Sequence, residues 1–103
     1  MARYAIVVLK YRFPLERILQ TSERHRAYLR ELHARGKLVA SGPFEPRSGG
    51  GLILRVADEA ELQALLAQDP YQQEGLVETQ SLLWAPNIGE AGLDALAPAP
   101  KAG

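Results

Sequence analysis

The order of strand-like and helix-like patterns is the feature that most restricts how this chain can fold. Residues 4–11 are rich in β-branched and aromatic side chains and are apolar on both alternating faces, which is typical of a strand covered on both sides. A helical pattern follows over residues 14–35, opened by Pro14 and ended by Gly36. The apolar stripe of this helix contains a histidine, and its members are Ile18, His25, Leu29 and Leu32.

The second half of the chain continues the alternation with shorter elements. We expect strands at residues 38–44 and 52–57, with a hairpin connection between them at residues 45–51. Three consecutive glycines, Gly49-Gly50-Gly51, place the connection there because glycine runs are typical of turns. Asp58 followed three residues later by Glu61 is a capping-box pattern, and it predicts a helix over residues 59–68.

A last strand over residues 76–84 completes the order strand, helix, strand, strand, helix, strand. This order predicts an α+β fold of the ferredoxin-like βαββαβ type, an antiparallel four-stranded sheet with two helices on one face. Both helices cover the same face because crossover connections are right-handed. The domain is expected at residues 1–86, and residues 87–103, rich in alanine, proline and glycine, are expected to form a mobile or loosely packed tail.

The second face of the predicted sheet has no segment of the chain left to cover it. Alternate positions of the first and last strands still place apolar side chains there, including Ile6, Leu82 and Trp84. A second copy of the chain, packed sheet against sheet, would bury this surface. We therefore predict a homodimer with a two-fold axis, formed through the open sheet face.

Charge and composition exclude several classes of function. Twelve basic and twelve acidic side chains cancel, which argues against binding nucleic acid or an anionic membrane through bulk charge. The third strand also lacks the aromatic side chains on which RNA-recognition domains stack bases. Without cysteine the chain has no disulfide, thiolate nucleophile or cysteine-ligated metal. No signal peptide is recognisable and no apolar run approaches the ~18 residues of a membrane span, so we expect a cytoplasmic protein.

His25 and Asp69 are the candidates for proton-transfer chemistry. Side chains of these two types supply an imidazole, which exchanges protons near neutral pH, and a carboxylate. The same residues have structural interpretations: a histidine on an apolar stripe often bonds a backbone carbonyl in the core. Asp69, followed by Pro70 and Gln72, has the pattern of a helix cap with a capping box. Capping and pairing could coexist, one carboxylate oxygen serving each.

Neither a metal ion nor a cofactor is predicted. The two histidines, His25 and His33, are eight residues apart, and no His, Asp and Glu cluster has ligand spacing. The glycine run joins two strands and lacks the Gly-Lys-Ser/Thr ending of a phosphate loop.

Tyr28 and Tyr71 are expected to pack rather than to donate protons. Ser41, at a strand end, is a candidate substrate contact.

Three short segments, in this order and spacing, resemble the YciI-like, or YCII-related, domains of the dimeric α+β barrel superfamily over about residues 3–85. The segments are His25 with Leu29 and Leu32, Ala40-Ser41-Gly42-Pro43, and Asp69-Pro70-Tyr71 with Gly75. The resemblance implies a dimer whose two sheets enclose a barrel, with His25 and Asp69 as an active-site pair in a pocket. Beside this pair we expect substrate-binding residues at Ser41, Gly42, Pro43 and Tyr71.

The superfamily also suggests what the protein could do. It includes muconolactone isomerases, cofactor-free monooxygenases and dehalogenating lyases, which implies a cofactor-independent isomerase or lyase acting on a small cyclic or carbonyl substrate. A non-catalytic ligand-binding or accessory dimer and a purely structural dimer are the alternatives. Family members often carry an arginine three residues before the histidine, where this chain has Ser22. The candidates to hold an anionic substrate group instead are Arg17, Arg24 and Arg55.

Overall fold

The computed structural model describes residues 3–96, which form a four-stranded antiparallel sheet with helices packed on it. In chain order the elements are β1 (Tyr4–Tyr11), α1 (Leu15–Ala34), β2 (Leu38–Pro43), β3 (Gly49–Arg55), α2 (Glu59–Ala67), α3 (Pro70–Gln73), β4 (Val77–Trp84) and α4 (Glu90–Ala95). The strands lie in the order β2-β3-β1-β4. This is the predicted ferredoxin-like α+β fold.

The central strand β1 divides its side chains between the two faces of the sheet. Ala5, Val7 and Leu9 are buried in the main hydrophobic core, together with apolar residues of α1 and α2. Ile6 lies on the opposite face, where it is paired with Ile53 of β3 and Leu82 of β4. Because β1 has neighbours on both edges and apolar residues on both faces, its sequence shows no polar side.

Helix α1 positions the candidate histidine, and its bounds agree with the sequence pattern to within one residue. Pro14 precedes the first turn, and the chain leaves the helix through Gly36, which has a φ of 75° that favours glycine. One stripe of the helix is buried, and its residues are Ile18, Thr21, Ser22, His25, Leu29 and Leu32. The predicted stripe is therefore confirmed, with two small polar residues added to it.

The start of α2 is fixed by the capping interactions that the sequence predicts. The Asp58 side chain accepts a hydrogen bond from the Glu61 backbone N–H at 2.8 Å. The Glu61 carboxylate in turn accepts from the backbone N–H of Ala57 at 2.7 Å. These two bonds satisfy amide groups that the first turn of a helix leaves without a partner.

The three consecutive glycines belong to strand β3, and the prediction that they lie in the connection is wrong. The strand begins at Gly49, and β2 ends at Pro43, so the connection is residues 44–48. Glycine is needed here because the strands approach closely: a Cβ atom at Gly49 would lie 1.9 Å from the Leu9 carbonyl oxygen. At Gly51 it would lie 3.2 Å from the Phe44 ring. The run is a site of close packing, not a flexible turn.

One end of the second sheet face is covered by α4, contrary to the expectation that the chain has nothing left for it. Leu93 packs against the buried residues Tyr4 and Val39. Asp94 contacts the Tyr4 hydroxyl and pairs with Arg55. The cause is the apolar Leu93, which the fold brings over the end of β1. The domain boundary at residue 86 stays a prediction, and the part of the expected tail at 97–103 lies outside the described residues.

The rest of this face stays open to solvent. Large apolar side chains are exposed on it, namely Ile6, Leu82 and Trp84, and Leu82 has 70% of its surface exposed.

Among residues 3–96, no helix combines the length and the apolar character that crossing a bilayer requires. The cytoplasmic location stays a prediction.

Candidate active site

His25 lies on the buried stripe of α1, at the edge of the hydrophobic core. Its ring stacks on the ring of Tyr71, with 3.8 Å between the ring centres and 7° between the planes. The stacked pair fixes the orientation of the imidazole, because α1 holds one ring and α3 holds the other. Only 11% of the His25 side chain is exposed.

Asp69 serves as the cap of α3 and as the partner of His25. Its Oδ1 accepts a hydrogen bond from the Tyr71 backbone N–H at 2.9 Å and lies 2.7 Å from Nδ1 of His25. The two roles that the sequence left open therefore coexist. They share one oxygen, whereas we expected one oxygen for each. The capping box with Gln72 does not form, because the Gln72 side chain accepts from the Thr79 hydroxyl at 2.6 Å.

The contact with Asp69 determines where the proton of a neutral His25 lies. A carboxylate has only acceptor atoms, so Nδ1 carries the proton and donates it to Asp69. The lone pair is then on Nε2. This nitrogen has no hydrogen-bond partner within residues 3–96, and it is not among their fully buried polar atoms. It is thus able to accept a proton from a bound molecule.

A cavity of about 270 Å³ lies beside the imidazole. The residues predicted to bind substrate all line it with His25, and they are Ser41, Gly42, Pro43 and Tyr71. Leu9, Leu29 and Leu52 add apolar surface, and the end of β2 and two glycines of β3 complete the lining. Asp69 lies behind the imidazole and is 3% exposed. This volume is near the lower end of the range for ligand pockets, which suits a small molecule.

Arg26 and Arg47 also line the cavity. The sequence patterns did not single out either of these arginines. Neither has an ion pair or a side-chain hydrogen bond with any residue from 3 to 96. Arg26 directly follows His25 on α1, and this adjacency was the available signal. Arg47 lies in the short β2–β3 connection, whose course the sequence pattern did not give.

The three arginines proposed from the sequence to hold an anionic group lie elsewhere, so that expectation is wrong. Arg17 and Arg24 both pair with Glu74. Arg55 donates to the Gly36 carbonyl at 2.7 Å and pairs with Asp94. A helical residue near the histidine in sequence need not share its face, and these side chains point to carboxylates on other elements.

The phenols near the site are held in the protonated form. Burial raises the pKa of Tyr28 to about 12, and its hydroxyl donates to the Leu65 carbonyl at 2.7 Å. Burial likewise raises the pKa of Tyr71 to about 12, although the guanidinium groups of Arg47 and Arg26 oppose the shift. Both side chains pack, in line with the sequence interpretation.

Glu74, at the end of α3, connects this short helix to α1. Its carboxylate accepts hydrogen bonds from Arg17 at 3.0 Å and from the Thr21 hydroxyl at 3.1 Å, and it also contacts Arg24. Arg17 in particular holds the pKa of Glu74 below its usual value, and Thr21 and Arg24 add to the effect. Because Asp69 is five residues away at the start of α3, this cluster helps to fix its distance from His25.

Within residues 3–96 no three His, Asp or Glu side chains are grouped to bind one metal ion.

Fold and site define a ferredoxin-like α+β protein with a buried histidine–aspartate pair beside a small cavity. Residues 2–83 match the YCII-related domain, and the chain belongs to that family. The resemblance stated from the sequence is thereby confirmed. No curated protein matches the sequence.

Several solved structures share the fold. TftG, the 5-chloro-2-hydroxyhydroquinone dehydrochlorinase of Burkholderia phenoliruptrix AC1100, solved in complex with 2,5-dihydroxybenzoquinone, is 21% identical. The match covers 85% of this chain and 97% of that chain, with a TM-score of 0.69. A conserved protein from Methanosarcina mazei Go1 is 12% identical over 84% of this chain and 95% of that chain, with a TM-score of 0.55. Protein YjcS is 14% identical over 84% of this chain and 100% of that chain, with a TM-score of 0.53.

Proposed function

We propose that the protein is a cofactor-independent isomerase or lyase, in which His25 moves a proton on a small cyclic or carbonyl substrate. The observation that carries the proposal is the 2.7 Å contact between His25 Nδ1 and Asp69 Oδ1, which leaves Nε2 available at a cavity. In this role His25 is the catalytic base, and Asp69 is a positioning residue that acts through the imidazole.

The proposed reaction begins when Nε2 of His25 removes a proton from a carbon next to a carbonyl group. The C–H electron pair moves into the carbonyl, which gives an enolate, and the ring becomes an imidazolium. Asp69 stabilises that charge, because its carboxylate is already bonded to Nδ1. Return of the proton to a different carbon completes an isomerisation. Expulsion of a leaving group by the enolate completes an elimination, and the proton then passes to water.

The substrate is small, because the cavity holds about 270 Å³. Its apolar walls favour a molecule with a ring or a short carbon skeleton over a highly polar one. The likeness to the dehydrochlorinase shows the fold, and the reaction class is proposed from the geometry of the pair. That enzyme nevertheless suggests the first compound to test, 2,5-dihydroxybenzoquinone, followed by unsaturated lactones and cyclic diketones.

The test is proton exchange in deuterated water, followed by 1H NMR for each compound of this panel. We expect the wild-type protein to exchange or rearrange at least one of them. His25→Gln should lose on the order of a hundredfold in rate, because the base is gone. Asp69→Asn keeps the cap and loses the charge that stabilises the imidazolium, so we expect it to lower the rate while leaving the base in place. His33→Gln is the matched control and should retain the wild-type rate, since His33 lies outside the cavity.

Turnover that survives His25→Gln would overturn the proposal. Saturable binding of panel compounds by the wild-type protein, with no exchange or rearrangement of any of them, would favour the non-catalytic binding module instead. A loss confined to Asp69→Ala, with Asp69→Asn fully active, would make Asp69 a helix cap alone.

The second part of the proposal is that the protein is a homodimer formed through its open sheet face. The exposed apolar residues of β1 and β4 support it, because monomers rarely leave such a contiguous surface in water. A two-fold axis would place the open faces of two copies against each other and remove the same residues of both from solvent. The family resemblance implies the same arrangement.

A further inference from the structure

We propose that Arg26 and Arg47 select the ligand of this site, and that the ligand is a small molecule with an apolar body and an anionic group. The inference rests on the proposed function, since it names the class of substrate for the same cavity. It adds two residues with a defined task, the binding of a carboxylate or a comparable planar anion.

The charges around the cavity are the first reason. Among the described residues that line it, two carry guanidinium groups and none carries a carboxylate. Asp69 is close, but it lies behind the imidazole, and its Oδ1 already serves His25 and the Tyr71 amide. A ligand that enters the cavity therefore meets positive charge at its surface. A planar guanidinium suits a carboxylate because two of its N–H groups can donate in parallel.

The second reason is that six of the seven other arginines within residues 3–96 already have a side-chain partner. Arg12 donates to the Gly75 carbonyl at 3.2 Å, and Arg3, the exception, does not line the cavity. Five arginines of residues 3–96 have carboxylate partners, and they are Arg17, Arg24, Arg30, Arg35 and Arg55. Arg26 lies on the same helix as three of them, and Arg35 follows the end of that helix, yet Arg26 and Arg47 make no such pair within residues 3–96. The chain thus keeps their donors available where they line the cavity.

The remaining walls define the rest of the ligand. Leu29, Leu52 and Tyr71 contribute apolar surface to the same cavity. Its volume of about 270 Å³ leaves room for one ring with few substituents. A neutral molecule of the same shape would fill the apolar part and leave both guanidinium groups without a partner. The anion should therefore bind more tightly than its neutral isostere.

Benzoate and benzamide provide a probe pair of nearly equal shape that differs in charge. Each is titrated into the wild-type protein and its variants, and the dissociation constant is measured from amide shifts in 1H–15N NMR spectra. The variants are Arg26→Gln, Arg47→Gln and the double replacement. Arg35→Gln is the matched control, because it removes the same charge just after the end of α1, at a residue that does not line the cavity.

We expect the wild-type protein to bind benzoate saturably and benzamide at least about tenfold more weakly. Each single arginine variant should bind benzoate about three- to tenfold more weakly, since Arg26 and Arg47 are both exposed to water, which weakens each charge-assisted bond. The double variant should bind benzoate no better than benzamide. Arg35→Gln should stay within about twofold of the wild-type affinity.

Equal benzoate affinity in the wild-type protein and the double variant would overturn the inference, and so would a wild-type protein that does not bind benzoate saturably. An equal loss in Arg35→Gln would reduce the effect to net charge and overturn it as well. The assay involves no turnover. Failure of the proposed function, seen as catalysis that survives His25→Gln, is therefore distinguishable from failure of anion selection.

Discussion

The single oxygen of Asp69 that meets both Tyr71 N–H and His25 Nδ1 makes the local structure and the chemistry interdependent. The α3 cap keeps the carboxylate in place, and the bond from His25 Nδ1 to the same oxygen orients the imidazole so that Nε2 is available at the cavity. Asparagine can cap a helix about as well as aspartate. Asp69→Asn therefore separates the two roles, since it preserves the cap and removes the charge that stabilises an imidazolium.

Tyr28 gives a pH-dependent prediction at the scale of one residue. Its pKa rises from the ordinary 10 to about 12 through burial, so its contribution to stability is complete below pH ~10 and is lost as the pH rises towards about 12. Tyr28→Phe removes this dependence and also the hydrogen bond to the Leu65 carbonyl. We expect the variant to be about 1 kcal/mol less stable than the wild type near neutral pH.

Urea unfolding at about pH 8.5 and about pH 11 measures this difference. The wild-type protein should lose about 1 kcal/mol more than Tyr28→Phe between the two conditions, after allowance for the solvent screening of a half-buried phenol. Tyr71 contributes to the loss in both proteins, so only the difference between them is assigned to Tyr28. Equal losses would show that burial of Tyr28 does not disfavour its ionisation.

Much of the candidate site was predictable at this scale, because His25, Asp69 and Ser41 follow from short local patterns and Gly42 and Pro43 from the family resemblance. Their contact was not predictable, since 44 residues separate His25 from Asp69 and the distance depends on how α3 packs against α1. The position of Arg26 and Arg47 at the cavity was missed for the same reason. The packing of the surrounding elements decides which cavity a guanidinium on a flexible stem lines, and the adjacency of Arg26 to His25 is the one signal of it in the sequence.

At the scale of elements, the order and bounds followed from periodicity and end signals, as α1 shows at Pro14 and Gly36. The glycines at the start of β3 were assigned to a loop because glycine favours turns when local preference is considered alone. What decides their place is contact with β1, since a Cβ at Gly49 would clash with Leu9. Close approach between strands is a property of the packed sheet and leaves no local signal.

The attachment of α3 to α1 through Glu74 gives a prediction at this scale. Arg17, with Thr21 and Arg24, lowers the pKa of Glu74 in the folded protein. The contribution of Glu74 to stability is therefore present above its ordinary pKa of 4.5 and is lost as the pH falls through the lower folded value. Glu74→Gln should be less stable than the wild type at neutral pH and should lose less stability on acidification.

Urea unfolding at about pH 7 and about pH 4 measures both effects. Glu23→Gln is the control, because Glu23 pairs with Arg30 on the exposed surface of α1, where such pairs contribute little. It should change the free energy of unfolding only slightly at either pH. If Glu74→Gln and the wild type lost equal stability on acidification, the contact between α1 and α3 would not depend on the ionised carboxylate.

At the scale of the whole molecule, the sequence indicated an uncovered sheet face but not how much of it α4 covers. Leu93 packs onto Tyr4 and Val39 at one end, because a short apolar anchor far along the chain acquires its partners only when the sheet exists. The centre of the face stays open around Ile6 and Leu82. The surface offered to a second copy is therefore smaller than the full sheet and is centred on β1 and β4.

The proposed dimer gives the prediction at this scale. Leu82 is the most exposed of the large apolar residues on the open face and pairs with Ile6 on the central strand. Light scattering at micromolar concentration should give a dimer for the wild-type protein and a monomer for Leu82→Lys, because burying a lysine ammonium without a partner costs several kcal/mol. The single tryptophan, Trp84, lies on the same face, so its fluorescence should report the dissociation. Leu19→Lys is the matched control: Leu19 is also exposed, but it lies on α1, so this variant should remain dimeric. A wild-type monomer, or a Leu82→Lys dimer, would contradict the assembly through this face.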